Sequence, residues 1–242
     1  MKLHAEMIPC LLISLICLSF SSQAQAQVIS GVQPEVSVLL ISETEGQAQI
    51  GVKNTDSEPL LMYVKVYDVT EDKDVRVIPV PSVTRVEAGG RQIVRFVLEN
   101  LSTPLKVQQF KRVTFEGVPS KATNPEDTGV RVNLRYDLPI LISPKSLKPM
   151  DSPWTLMVWK LEGERLTVHN PSPYVVRMSR EVALLPGASR VEMAKRTFIL
   201  PGETIGIDLP KAMAADNLKS VRIFPATLYG SSAPDFDAPV QR

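Results

Sequence analysis

Glu87-Ala88-Gly89-Gly90-Arg91-Gln92-Ile93-Val94-Arg95-Phe96-Val97-Leu98 is the stretch on which the fold turns. Its first four residues read as a turn, since paired glycines accept backbone angles that side chains disfavour. Gln92 to Leu98 then reads as a strand, dense in β-branched and aromatic residues. The same unit recurs on both sides. Gln47 to Lys53 alternates polar with apolar residues and stops at Asn54-Thr55-Asp56. Leu60 to Tyr67 follows, then a charged turn over Glu71-Asp72-Lys73-Asp74, then Val75 to Val80. Val113-Thr114-Phe115 and Val130-Arg131-Val132-Asn133-Leu134 continue the series. Short strands separated by turns predict an all-β sandwich.

The rhythm restarts after Pro144-Lys145-Ser146-Leu147-Lys148-Pro149-Met150-Asp151-Ser152-Pro153, whose three prolines mark a stiff linker. A second strand set is expected over Trp154–Trp159, Arg165–Val168, Val175–Met178, Glu181–Leu185, Thr204–Leu209 and Val221–Phe224. Only Lys211–Leu218 has the pattern of a helical turn. The expected organisation is a first sandwich over 27–145, a linker over 146–153 and a second sandwich over 154–242, meeting at an angle that leaves a cleft.

The chain opens with the pattern of an export signal, expected over 1–26. Lys2 supplies positive charge, an apolar run extends from about Ile8 to Phe20, and Ala24-Gln25-Ala26 has the small-x-small form of a cleavage site. Both cysteines, Cys10 and Cys17, and one of the two histidines fall inside it. A mature chain without cysteine excludes thiol nucleophiles, thiolate zinc sites and redox chemistry. With His169 as the only remaining histidine, a multi-histidine metal site is excluded too. The formal net charge of +1 argues against a general nucleic-acid or membrane-surface binder. No later segment has the apolar length to span a membrane as a helix, so direct membrane insertion is not expected.

Four stretches carry a resemblance to a known family: Pro81 through Phe96, Phe110 through Pro119, Val130 through Pro144, and His169-Asn170-Pro171-Ser172-Pro173-Tyr174. In this order, behind an export signal, they resemble the periplasmic chaperones of the chaperone–usher pilus pathway, from about Val32 to Tyr229. The resemblance implies two immunoglobulin-like domains in an L or boomerang arrangement. It implies periplasmic localisation, no cofactor and no catalysis. The implied partners are pilus or fimbrial subunits that lack their last strand, and an outer-membrane usher. An open donor edge also allows a self-capping dimer.

A subunit missing a strand exposes a sheet edge and an apolar groove. A donated strand pairs with the edge while alternate side chains enter the groove. Val130, Val132 and Leu134 fit that need, with Arg131 and Asn133 on the other face; from alternation alone they equally suit a strand of the chain's own core. The resemblance favours the donor role and leaves Leu138, Ile140 and Ile142 in the first-domain core or at the domain junction. Family members grip the subunit's C-terminal carboxylate with a first-strand arginine and a seventh-strand lysine. Here Val38 and Pro139 stand near those places, so Arg112 and Arg135 are the expected substitutes, with Lys111 in reserve. A buried interdomain ion pair is implied at Glu87, with Asp216 as a further member; the arginine that usually completes it is replaced by Ser143, with Lys145 nearby. Asn170-Pro171-Ser172-Pro173 reads as a turn.

Two other readings compete. A structural pilus subunit or adhesin would be expected to carry a disulfide and a long N-terminal donor segment. A secreted enzyme or sugar-binding module would need a motif that is missing. The pairs Glu43/Glu45 and Glu162/Glu164 read as solvated turn residues, and Trp154 and Trp159 read as core or interface residues.

Overall fold

The computed structural model describes residues 31–69, 75–99, 103–119, 134–209 and 217–242. The expected export signal, Val130, Val132 and Asp216 therefore lie outside the described residues.

The first half contains β1 (Val32–Pro34), β2 (Leu39–Ser42), β3 (Gln47–Asn54), β4 (Leu60–Asp68), β5 (Val77–Val80), β6 (Val83–Val86), β7 (Arg91–Leu98), β8 (Gln109–Pro119) and β9 (Arg135–Ser143). They form a four-stranded sheet, β1-β3-β7-β5, facing a five-stranded sheet, β2-β9-β8-β4-β6. Strict alternation fixes which residues meet. Val94, Phe96 and Leu98 of β7 point inward and Arg95 points out. Phe96 meets Phe115 of β8 edge to face across the sandwich, with ring centroids 6.2 Å apart. Burying each such side chain contributes about 1.5–3 kcal/mol.

The second half contains β10 (Val158–Glu162), β11 (Arg165–His169), β12 (Val176–Arg177), β13 (Glu181–Leu185), β14 (Ser189–Glu192), β15 (Phe198–Ile199), β16 (Thr204–Asp208), β17 (Ser220–Ile223) and β18 (Phe236–Gln241). Its larger sheet runs β14-β13-β17-β18-β10-β11-β16, beside the pair β12-β15. Trp154 and Trp159 are both buried in the core that this half builds for itself. The segment Trp154–Trp159 is not one strand, however. Pro153 opens a 3₁₀ turn over Pro153–Leu156, and the strand begins only at Val158. Apart from Asn217 and Leu218, the expected helical turn over Lys211–Leu218 falls outside the described residues.

Each half pins one strand end with a fully buried asparagine. The Asn54 amide donates to the carbonyls of Glu58 (2.8 Å), Val86 (3.1 Å) and Glu87 (3.1 Å), and its oxygen accepts the Asp56 N–H at 2.9 Å. The Asn170 amide donates to Tyr174 (2.8 Å) and Leu200 (3.1 Å), and its oxygen accepts from Ser172 Oγ at 2.6 Å. The Asn-Pro-Ser-Pro segment is thus a pinned turn.

A third apolar cluster joins the halves. Val38, Phe110 and Leu141 come from the first, and Val175, Phe198 and Leu200 from the second. Phe110 and Phe198 stack with centroids 4.2 Å apart. Gln108 adds a polar latch: its N–H donates to the Pro173 carbonyl at 2.9 Å, its amide donates to Ser143 Oγ at 3.1 Å, and its side-chain oxygen accepts the Val175 N–H at 2.9 Å.

Candidate functional site

The site is built on β9. On one side β9 pairs with β8 along Arg135–Ile142. On the other it pairs with β2, in parallel, and only from Ile140 to Ser143. Among the described residues the outer edge of Arg135–Pro139 therefore has no strand beside it, and its backbone groups offer a template for another chain. Ile140 and Ile142 are fully buried in the first core, while Tyr136 and Leu138, on the same face, are only partly buried against it. That face loses its cover progressively toward the strand's start. Leu134 is half-buried and precedes the strand instead of lying within one, as the alternation had suggested.

The expected basic residues do not converge. Arg112 lies on the outer face of the five-stranded sheet, two residues from Phe110. Its Nε donates to Asp137 Oδ1 at 2.9 Å and contacts Tyr67 Oη at 3.2 Å, and its Nη2 donates to the Asp137 carbonyl at 3.1 Å. Its pKa is raised: burial opposes this, but the hydrogen bond and charge of Asp137 outweigh it. Arg135 is exposed and faces Glu116 across the ladder, whereas Arg112 faces Pro139. The four-residue offset places their backbones about 13 Å apart along the strand, and the Arg112 guanidinium is turned to Asp137. Lys111 is wholly buried, with Nζ 2.9 Å from Asp68 Oδ1. A cation sealed in this way is a structural ion pair and not a contact for an incoming chain.

A third arginine, which the sequence did not single out, stands at the junction. Arg177 of β12 faces Phe198 of β15 across their short ladder. Phe198 stacks on Phe110, so the arginine beside each ring comes to the same place: Arg112 from the first half and Arg177 from the second. Nη1 of Arg177 is buried and has no hydrogen-bond partner among the described residues. Burial, reinforced by the Arg112 charge, lowers its pKa. Arg196 also stacks over Phe198, at 4.9 Å, but is ion-paired with Glu203. In the sequence the only hint was one cation within the apolar run Tyr174 to Met178.

Among the described residues Glu87 makes no buried ion pair; Asp216, its expected further member, lies outside them. Glu87 is exposed and pairs at 2.8 Å with Arg85, two residues away on the same strand edge. At Ser143, where the completing arginine was missing, the Gln108 latch takes over: a neutral amide satisfies buried backbone without burying a charge. Glu43 is more than a solvated turn residue, since its carboxylate accepts the N–H groups of Leu105 (2.9 Å) and Lys145 (2.7 Å). Among the described residues no group of three or more His, Cys, Asp or Glu is placed to hold a metal ion.

Comparison with known proteins shows the family. The family described as "Pili and flagellar-assembly chaperone, PapD N-terminal domain" matches residues 31–148, and "Pili assembly chaperone PapD, C-terminal domain" matches residues 152–231. The chain is 38% identical over 212 residues to the fimbrial chaperone YhcA of Escherichia coli, covering 87% of this chain and 91% of that protein. It is 27% identical over 194 residues to the chaperone protein caf1M of Yersinia pestis, covering 72% of each. The SafB chaperone of Salmonella enterica, solved in complex with the SafA pilin, shares the fold with a TM-score of 0.71 at 16% identity, over 86% of this chain and 96% of that one. With both of its domains matched in order, the chain belongs to the PapD-like family of pilus-assembly chaperones.

Proposed function

We propose that this pilus-subunit chaperone holds its client on the open edge of β9, extended backward through Val132 and Val130. The observation that carries this reading is the one-sided pairing of Arg135–Pro139. The parity of the strand supports it as well. Residues 130, 132 and 134 share the parity of Tyr136, Leu138, Ile140 and Ile142, so a continued strand turns the same face toward a partner's groove that it turns toward its own core. Three buried aliphatic side chains contribute on the order of 5–8 kcal/mol before binding costs. That holds a subunit yet leaves it exchangeable for a better-fitting strand, with no nucleotide required.

The client's C-terminal carboxylate meets Arg112, whose orientation Asp137 fixes. The protein works in the periplasm after export and passes its clients to an outer-membrane usher. In the absence of a client, the same edge is open to a second copy of the chain.

Co-expression with a candidate pilin tests the reading. A soluble one-to-one complex is expected, and Val132→Asp should abolish it while the chaperone stays folded. A complex that survives Val132→Asp and Leu134→Asp together would refute the donor assignment. Arg112→Ala should lower subunit yield.

A further inference from the structure

We infer that Glu35, gripped by Arg91, is a positioning residue for the open edge of β9: it keeps the chain leading into β2 from closing over Arg135–Pro139. The inference rests on the proposed function, since it concerns how that edge stays available. The chain in question runs beside the edge at both of its ends. Leu39 pairs with Ile140, and a Cβ placed on Gly31 would lie 4.0 Å from Leu134 Cβ. Between these points the chain turns to the other sheet. β1 pairs with β3, and the Glu35 N–H donates to the Gly51 carbonyl at 2.9 Å. The Glu35 carboxylate then crosses β3 to meet the Arg91 guanidinium of β7. Gly51 permits the crossing: a Cβ there would collide with both groups, so the pair lies over the one position of β3 without a side chain.

The register shows what this arrangement prevents. Were the parallel β2–β9 ladder to continue backward, Val38, Ser37, Val36 and Glu35 would face Pro139, Leu138, Asp137 and Tyr136. Pro139 takes at most one donor out of that seam. By alternation, Glu35 would then turn to the face of Leu39 and Ile41, which is also that of the partly buried Tyr136 and Leu138. A carboxylate brought there gives up water and its arginine together, and an inward-pointing charge is one device that keeps sheet edges unpaired. The ion pair itself is half exposed and contributes little; the charge on Glu35 supplies the larger part. Without it, residues 35–38 form a strap that takes up the backbone groups a client strand would use.

Hydrogen exchange in the free, full-length mature protein, followed by NMR, tests this without a client. The amides of residues 135–138 that do not bond to β8 should exchange quickly in wild type. Glu35→Val should slow them by on the order of tenfold or more, and should lower the yield of the pilin complex on co-expression. Glu35→Gln keeps the side-chain shape and should show part of the slowing. Arg91→Gln leaves the charge in place, so the edge should stay fast. Reversing the pair, Glu35→Arg with Arg91→Glu, should restore both fast exchange and the complex. A purely structural pair predicts otherwise, since each loss would loosen β1 and none would protect β9. Unchanged exchange in both Glu35→Val and Glu35→Gln, with a urea transition showing them folded, would overturn the inference, as would slow edge amides in wild type. Protection of the edge in Glu35→Val beside an undiminished pilin complex would uphold the strap and refute the donor assignment, so the two failures give different results.

Discussion

The backbone N–H of Val175, in the second domain, donates to the side-chain oxygen of Gln108, in the first, at 2.9 Å. With the Gln108 N–H donating to Pro173, the bond makes one residue the polar link between two separate cores. Both tryptophans lie in the second domain, so their fluorescence follows that domain alone, while far-ultraviolet circular dichroism follows both. In wild type the two signals should report one urea transition. Gln108→Leu strands the buried Val175 N–H, at a cost of about 1–3 kcal/mol, and should split the two curves. Coincident curves in the variant would assign the coupling to the phenylalanine stack alone.

The paired asparagines should be equally intolerant of change. Asn54→Ala or Asn170→Ala removes a buried amide together with its hydrogen bonds to buried and part-buried carbonyls, so each should lower stability by on the order of 2–3 kcal/mol. Asn170→Ala should act on the tryptophan-reported transition, and Asn54→Ala on the rest. Urea midpoints read by both signals check this.

Acid should weaken the first domain through Glu35. The Arg91 guanidinium grips this carboxylate with two hydrogen bonds, of 2.5 and 2.7 Å, and holds its pKa below the ordinary 4.5, against a smaller opposing effect of burial. A carboxylate lowered in the folded state stabilises above its unfolded pKa, and that contribution fades as pH falls through the folded value. Arg91→Gln should therefore flatten the loss of stability below about pH 4.5. Urea midpoints across that window, in wild type and variant, provide the measurement.

Tyr67 should ionise late. Burial raises its pKa above 10, and so does the 2.5 Å hydrogen bond that its hydroxyl donates to Asp137, while Arg112 partly offsets both. Asp137→Asn should bring the Tyr67 titration to lower pH, as followed by NMR of isotope-labelled tyrosine with Tyr67→Phe for assignment. The same substitution frees Arg112 from its carboxylate partner and should reduce subunit yield by mispointing it.

Much of this architecture is written in local pattern. The expected strand over Glu181–Leu185 matches β13, and those over Gln47–Lys53, Leu60–Tyr67 and Gln92–Leu98 fall within one residue of β3, β4 and β7 at each end. These segments declare themselves because each alternates between a core and water. Phe236–Gln241 did not: Pro239 and two aspartates nearby disguise a strand that forms because β17 and β10 lie on either side of it. The basic residues were harder still. Arg112, Arg135 and Lys111 look equivalent along the chain, and only pairing register and depth separate an arginine turned to Asp137 from an exposed arginine and a sealed lysine. Arg177 acquires its meaning from a ring stack between residues 110 and 198, a relationship with no local trace.

The way β9 is seated has one more effect. With Ile140 and Ile142 locked in the first core and Leu39–Ser42 zipped alongside, this segment cannot creep lengthwise: a shift of one residue would turn its oily side to water. On the proposed function, a guest laid along the vacant border inherits that fixed phase. The carrier would then act as a ruler, setting its cargo's alignment to the residue before any other component meets it.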